Sequence, residues 1–584
     1  MSSPFEVARH WWRFYRERPF LRLFRIFSER IFRGGGDSDA DGLDLGIGLV
    51  LTLLALPGGF VSVLMFVKYS TFLSWMRGSP HVDPLIVAMP DEYFFITLSM
   101  AVTGAVTVWR WDTLFPDLRD YTNMVPLPIS TSLLFSANLA AVLFLAGLIA
   151  FDVNAASSVL FPLGVAATQR SFLFFVKFVG VHALVVGVAS VFAFFAVLTL
   201  LGFFLVILPP RVFRKISPYV RALVVMYFVT LLSTSFALPD FLHSLPGSSI
   251  DWTALLPSCW FLGLCQTLRG RADPALSSLA RIALPGLGLT IAAAFCVYAL
   301  GYRRHFLRIP EMSENGANPR HSNATWLRKV FDGWILRTPF QRGCFHFVCR
   351  TLFRSEPHRL AMAGISGLGI VLASQLLASA VQTHSARNAT PSSNALAVPF
   401  VLAFFIVIGL RIVFEIPVEL RSNWMFRITL DPEKHECQSL GKNVILTFVM
   451  PVVLVSLPVY VYVDGAMVGT MHTLLVGLWS LLLTNAVLVR FRKLPFTCPL
   501  PVFQQNSIVV LLGWVLAFFL FAVVTPELES WALEEPLQML VLLVPAALFW
   551  YIPRYIDRGA IDVEKTLTFD SNSARDIEVL QLGA

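Results

Sequence analysis

Residues 172–208 read FLFFVKFVGVHALVVGVASVFAFFAVLTLLGFFLVIL, and this stretch decides the fold. Its only formal charge is Lys177, His182 is its other titratable group, and it runs without a break to Pro209-Pro210. A bilayer span takes about 20 apolar residues. The stretch is nearly twice that and reads as one long or tilted helix with an interfacial lead-in. The whole chain has the same character. Of 584 residues, 56% are hydrophobic and 14% charged, with a mean hydropathy of +0.69, whereas soluble domains carry about 25% charged residues. A water-soluble globular protein is excluded, and the 51 Phe and 14 Trp fit helix faces that meet lipid.

Apolar runs predict twelve spans, near 45–67, 93–109, 130–151, 178–208, 222–238, 282–301, 361–382, 398–415, 444–463, 468–489, 507–525 and 537–553. The expected fold is therefore all-α and polytopic. Short cytoplasmic loops concentrate Lys and Arg. With the N-terminus inside, 36 of the 45 basic residues fall in cytoplasmic segments and 7 in external ones. A missed span would invert every later loop, so this bias supports twelve spans with both termini cytoplasmic. The late external loop PELESWALEEP is acidic, as that orientation expects. The net charge of +8 thus marks sidedness, not a nucleic-acid patch. Eight Arg in the first 33 residues leave no apolar signal-peptide core there. Cys259 and Cys265, spaced i, i+6 in an apolar segment, suit packing better than a disulfide.

The expected layout is a cytoplasmic helix and acidic linker (1–44), a first six-span half (45–301), a basic cytoplasmic connector (302–360), a second six-span half (361–553) and a cytoplasmic tail (554–584). FRIFSERIFR (24–33) aligns with FHFVCRTLFR (345–354) at Phe24/Phe345, Phe32/Phe353 and Arg33/Arg354. At the same offset GIGLVL (46–51) falls on GLGIVL (367–372). One offset relating two separate stretches points to a parallel repeat of two six-span halves. Residues 18–33 form an amphipathic helix with Phe20, Phe24, Phe27 and Ile31 on one face and Arg18, Arg22, Arg25 and Arg33 opposite, a pattern suited to the cytoplasmic interface and its lipids.

Chemical motifs are sparse. GGGDSDADG places Asp37, Asp39, Asp41 and Gly42 like the start of a calcium loop, but position 12 is Gly48 where a bidentate Glu is needed. There is no P-loop, HExxH or G-x-S-x-G, and the eleven His lack ligand spacing, so neither a cofactor nor enzymatic activity is expected of this chain. No carboxylate stands in the middle of an expected span, which argues against ion coupling. Lys177, His182 and Arg411 read as snorkelling near span ends.

The first cytoplasmic loop, RWDTLFPDLRDYTNMVPLPIS (110–130), carries the functional expectation. It combines Trp111, Asp112, Asp117, Arg119 and Asp120 with further aromatics and ends in Leu-Pro-Ile-Ser before the next span. Charges with aromatics on a short loop make a docking surface. Its counterpart, LRSNWMFRITLDPEKHECQSLGKN, brings Trp424, Arg427, Asp431 and Glu433 and shares the Thr-Leu-x-Pro-acid pattern.

An amphipathic helix, two spans, a short charged loop ending in Leu-Pro-Ile-Ser and a third span resemble the permease domains of type-two ABC exporters. The resemblance implies that the loop is a coupling helix that touches a separate P-loop ATPase, and that six spans form each half of the pore. It implies re-entrant helices in the external segment 239–281, which contains LPSCWFLGLCQTLRG. The second-half loop is longer and lacks the Leu-Pro-Ile ending, and external loop 526–536 is too short for paired re-entrant helices, so the second half is expected to be degenerate. The expectation is a plasma or inner membrane permease moving an unidentified substrate. Its rivals are an ion-coupled secondary transporter, a non-transporting scaffold and a lipid-acting enzyme.

Overall fold

Ten of the described helices are long and apolar enough to cross a bilayer, and no strand occurs among the described residues. The computed structural model describes residues 19–33, 55, 58–63, 65, 68–69, 84–115, 126, 129–166, 171–235, 254–270, 274–313, 339–384, 391–418, 437–489, 491, 494–497, 507–533, 546–548 and 550–551. The ten helices fall one for one on the second to eleventh expected spans, which makes the chain an integral membrane protein. Expected spans 45–67 and 537–553 lie largely outside the described residues. The chain divides into two compact units, Met1–Asn318 and Pro319–Ala584, each with its own apolar core.

The first unit contains α1 (Pro19–Arg33), α2 (Pro84–Trp109), α3 (Thr131–Ala166), α4 (Phe172–Ile207), α5 (Pro210–Thr234), α6 (Pro257–Leu268) and α7 (Pro274–Ser313). The α4 helix is one uninterrupted element of 36 residues, as its sequence predicts. Ser171 caps it, with the Phe174 N–H donating to the hydroxyl at 3.4 Å. Leu208, extended at ψ 142°, ends it because the residue before a proline avoids the helical region.

The α3 helix runs 15 residues past the expected end at 151, reaching Ala166. Asp152, Asn154, Ser157 and Ser158 made that segment read as polar. Inside the fold Asn154 turns inward, and its amide donates to the Ala150 carbonyl at 2.7 Å and to Ser190 of α4 at 3.0 Å. Ser190 also meets Ser99 and Thr103 of α2 at 2.6 and 2.9 Å. Helices in lipid gain little from apolar burial against one another, and small hydroxyl and amide side chains join them instead.

The α1 helix turns its apolar stripe to protein. Leu23, Phe27 and Ile31 are buried, α1 packs along α3, and the Phe24 ring stands 5.7 Å from that of Phe144. The apolar stripe is therefore satisfied by protein where lipid was expected, while Arg22 and Arg25 stay exposed.

The second unit contains α8 (Pro339–Arg354), α9 (Glu356–His384), α10 (Ser393–Val413), α11 (Cys437–Asp464), α12 (Ala466–Val487) and α13 (Ser507–Phe518), which passes through a π turn (Phe519–Val524) into α14 (Thr525–Ala532). Gly465, at φ 89°, makes the turn from α11 to α12. The π turn follows from Pro526. A proline has no N–H and crowds the carbonyl four residues earlier, and widening the preceding turn relieves both. Thr525 closes that turn, its hydroxyl donating to the Leu520 carbonyl at 2.8 Å. The acidic stretch expected to be an external loop is thus, over Thr525–Ala532, the continuation of a helix.

Candidate functional site

In the first unit a buried polar centre forms where the N-terminal part of α2 meets α6. The 12 residues of α6 are too few to cross a bilayer, and Ser258, Cys259 and Phe261–Gln266 are all buried. Glu92 of α2, fully buried, is ion-paired with Arg269 at the end of α6. It also accepts from the Gln266 amide at 2.9 Å, while the Cys265 thiol stands 3.7 Å away. The Arg269 guanidinium lies 3.7 Å from the centroid of the Phe178 ring of α4, and burial pushes it down to about 9. Beside it, Asp91 accepts from Lys68 at 2.7 and 2.8 Å and from the Tyr69 hydroxyl at 2.6 Å. Burial first, and Asp91 second, push the Tyr69 phenol up, so it remains a donor.

His182 lies one turn beyond Phe178 and is buried. Its ring meets Phe95 of α2 at 5.8 Å and Phe161 of α3 at 5.1 Å. The snorkelling expectation is corrected for His182, whose aromatic surroundings hold it inside; Lys177 on the same helix is exposed. Cys259 and Cys265 are free thiols, pushed up by burial to about 11 and about 12.

At the other end of α2, the expected coupling loop begins as a 3-10 turn, Trp111–Thr113. Trp111 is buried and Arg221 of α5 covers its ring at 5.6 Å, so its indole faces the fold. Arg30 of α1 donates to the Thr113 carbonyl and to Asn138 of α3, both at 2.9 Å. Asn138 and Tyr298 of α7 each donate to the Leu114 carbonyl at 3.3 Å. At the loop's far end Ser130 sits before α3, with the Leu133 N–H 3.4 Å from its hydroxyl. Asp112 lies in the 3-10 turn, while Asp117, Arg119, Asp120, Trp424, Arg427, Asp431 and Glu433 lie outside the described residues.

The second unit holds a buried pair that sequence reasoning missed. His472 of α12 and Glu529 of α14 are both fully buried, with Nδ1 and Oε1 2.8 Å apart. The Tyr460 ring of α11 lies tilted against the imidazole at 4.3 Å, and Phe400 of α10 meets it at 5.9 Å. His472 Nε2 and Glu529 Oε2 have no hydrogen-bond partner among the described residues. Arg411, expected to snorkel, is ion-paired with Glu415, donates to the Val487 carbonyl at 3.3 Å and lies 4.9 Å from the Phe491 ring centroid. The expectation that no carboxylate stands in the middle of a span meets an exception in Asp152, which falls within the extended Thr131–Ala166, while Asp91, Glu92 and Glu529 lie inside spans near their ends.

No protein-family model, curated protein or solved structure matches the chain.

Proposed function

We propose that this chain is the membrane-spanning permease of an ATP-driven exporter, with the ATPase on a separate P-loop subunit docking on the cytoplasmic loops. The observation that carries this reading is the anchoring of the first inner loop. Trp111, Thr113 and Leu114 are tied to α1, α3, α5 and α7 through Arg30, Asn138, Arg221 and Tyr298. A displacement imposed on the start of this loop at Trp111–Leu114 therefore reaches four helices at once, and a coupling element needs that linkage to change helix tilt. An idle turn needs none of it.

The two-half architecture is part of the same proposal. The sequence offset of 321 carries the buried Leu23, Phe27 and Ile31 of α1 onto Cys344, Val348 and Leu352 of α8, which are also buried. In each unit the second, third and fourth expected spans pack on one another, and the fifth packs on the second. Each unit also buries a His on the fourth span, between a Phe from the second and an aromatic from the third: His182 with Phe95 and Phe161, His472 with Phe400 and Tyr460.

The test is co-purification of the tagged chain from its native membrane. A P-loop ATPase is expected in the complex and is lost when Asp112, Asp117 and Asp120 are reversed to Lys. An intact complex without an ATPase would sink the proposal. The buried acids favour a second reading, an ion-coupled secondary transporter, since intramembrane carboxylates commonly carry ions. Substrate movement in sealed vesicles under an ion gradient, without ATP, would select it.

A further inference from the structure

We infer that His472 and Glu529 form a proton-binding site, assembled by the π turn at Phe519–Val524. Both side chains are fully buried and make a single hydrogen bond to each other, leaving Nε2 and Oε2 without a hydrogen-bond partner among the described residues. A lone carboxylate without solvent or a cation is costly to bury. The pair avoids that cost by holding one proton beyond those of an ionised Glu and a neutral His. That proton sits on Oε1 and is donated to Nδ1, or sits on Nδ1 and is donated to Oε1. Both forms are neutral overall, so the proton can shift between the two atoms without separating charge from its surroundings. Uptake and release exchange this proton with bulk water, and no other reactant is needed.

His358, by comparison, has its Nε2 3.0 Å from the Ile416 carbonyl. His472 has instead an acid brought to it by an irregular helix. One residue of α-helix turns about 100°, so the wide turn rotates everything after it by about that angle relative to a regular α-helix. Without the π turn, Glu529 would point away from His472. The nearby titratable groups on the packed elements are Tyr460 and Asp464 of α11 and Glu527 of α14; α10 faces the pair with Phe400 and the Ala395 carbonyl, which accepts from Tyr460. The exposed Glu527 accepts instead from Ser393 at 2.8 Å. The inference rests on neither transport reading, because the proton is detected at the pair itself.

The experiment is pH-difference infrared spectroscopy of the full chain in lipid nanodiscs, with nitrogen-labelled histidine, from about pH 4 to about pH 10. One carboxyl band and one imidazole signal are expected to change together. The carboxyl change disappears in Glu529→Gln, the imidazole change in His472→Gln, and each variant also removes the joint change seen in the other group. If Glu529→Gln does not fold, Pro526→Ala carries the test. It keeps both groups, and the joint change is expected to split into two independent ones. The inference is overturned if no joint change occurs in the window, if the joint change survives Glu529→Gln, or if Pro526→Ala leaves it intact.

Discussion

Arg269 ends a short helix with its guanidinium against a fully buried carboxylate on one side and an aromatic ring on the other. Breaking such a pair by removing one partner typically costs about 3–5 kcal/mol, because the remaining charge stays buried, while removing both charges costs much less. Arg269→Gln is therefore expected to lower the thermal unfolding temperature in detergent sharply. The double variant Glu92→Gln/Arg269→Gln should recover most of the loss. A double variant as unstable as the single one would show that Arg269 acts through packing alone. The residues at this scale were in plain view in the sequence, yet their roles were not. Glu92 stands one residue before the expected start of the second span, and Glu529 four residues after the expected end of the eleventh. A charge next to an apolar run reads as the point where lipid gives way to water. Only a partner from a distant part of the chain, Arg269 or His472, lets the helix continue through it, and no local pattern announces that partner.

At the scale of elements, apolar length was the legible signal and helix ends were not. The α4 helix could be read directly, since nothing in it breaks a helix before Pro209. The extension of α3 to Ala166 could not, because Asn154, Ser157 and Ser158 look like solvent-facing residues until Ser99, Thr103 and Ser190 are placed beside them. Close approach between elements was equally hidden. A Cβ on Gly263 of α6 would meet the Leu276 carbonyl and the Ala280 N–H of α7, backbone atoms that cannot swing aside. Overpacking of this kind costs about 1–3 kcal/mol. Gly263→Ala is thus expected to push α6 off α7 and weaken the Glu92 centre, whereas Gly288→Ala, with open space around it, should be neutral. Limited proteolysis near 271–273 checks this: equal cleavage rates in the two variants would contradict it.

The whole molecule joins two units, each with its own core. Because no core cluster draws residues from both, fragments 1–318 and 319–584 expressed separately are each expected to insert and give a cooperative unfolding transition in detergent. A fragment that aggregates while the intact chain does not would show that its core needs the other half. The expected sidedness of the basic residues can be read from sequence because it depends only on counting along the chain. The offset of 321, on which the proposed repeat rests, is visible at the start of each unit.

The lengths of α3 and α4 bear on where such a molecule can reside. Each runs 36 residues, about 54 Å of helix, and both are predominantly apolar, with Asp152 in α3 and Lys177 in α4 as their charged residues. A bilayer core is about 30 Å thick, and spans tilt by up to about 40°. Tilt alone therefore cannot bring all of either helix within the hydrocarbon. The remainder of each helix lies in the interface, beside neighbouring helices or in locally thickened lipid, so thick membranes are expected to suit these helices better than thin ones.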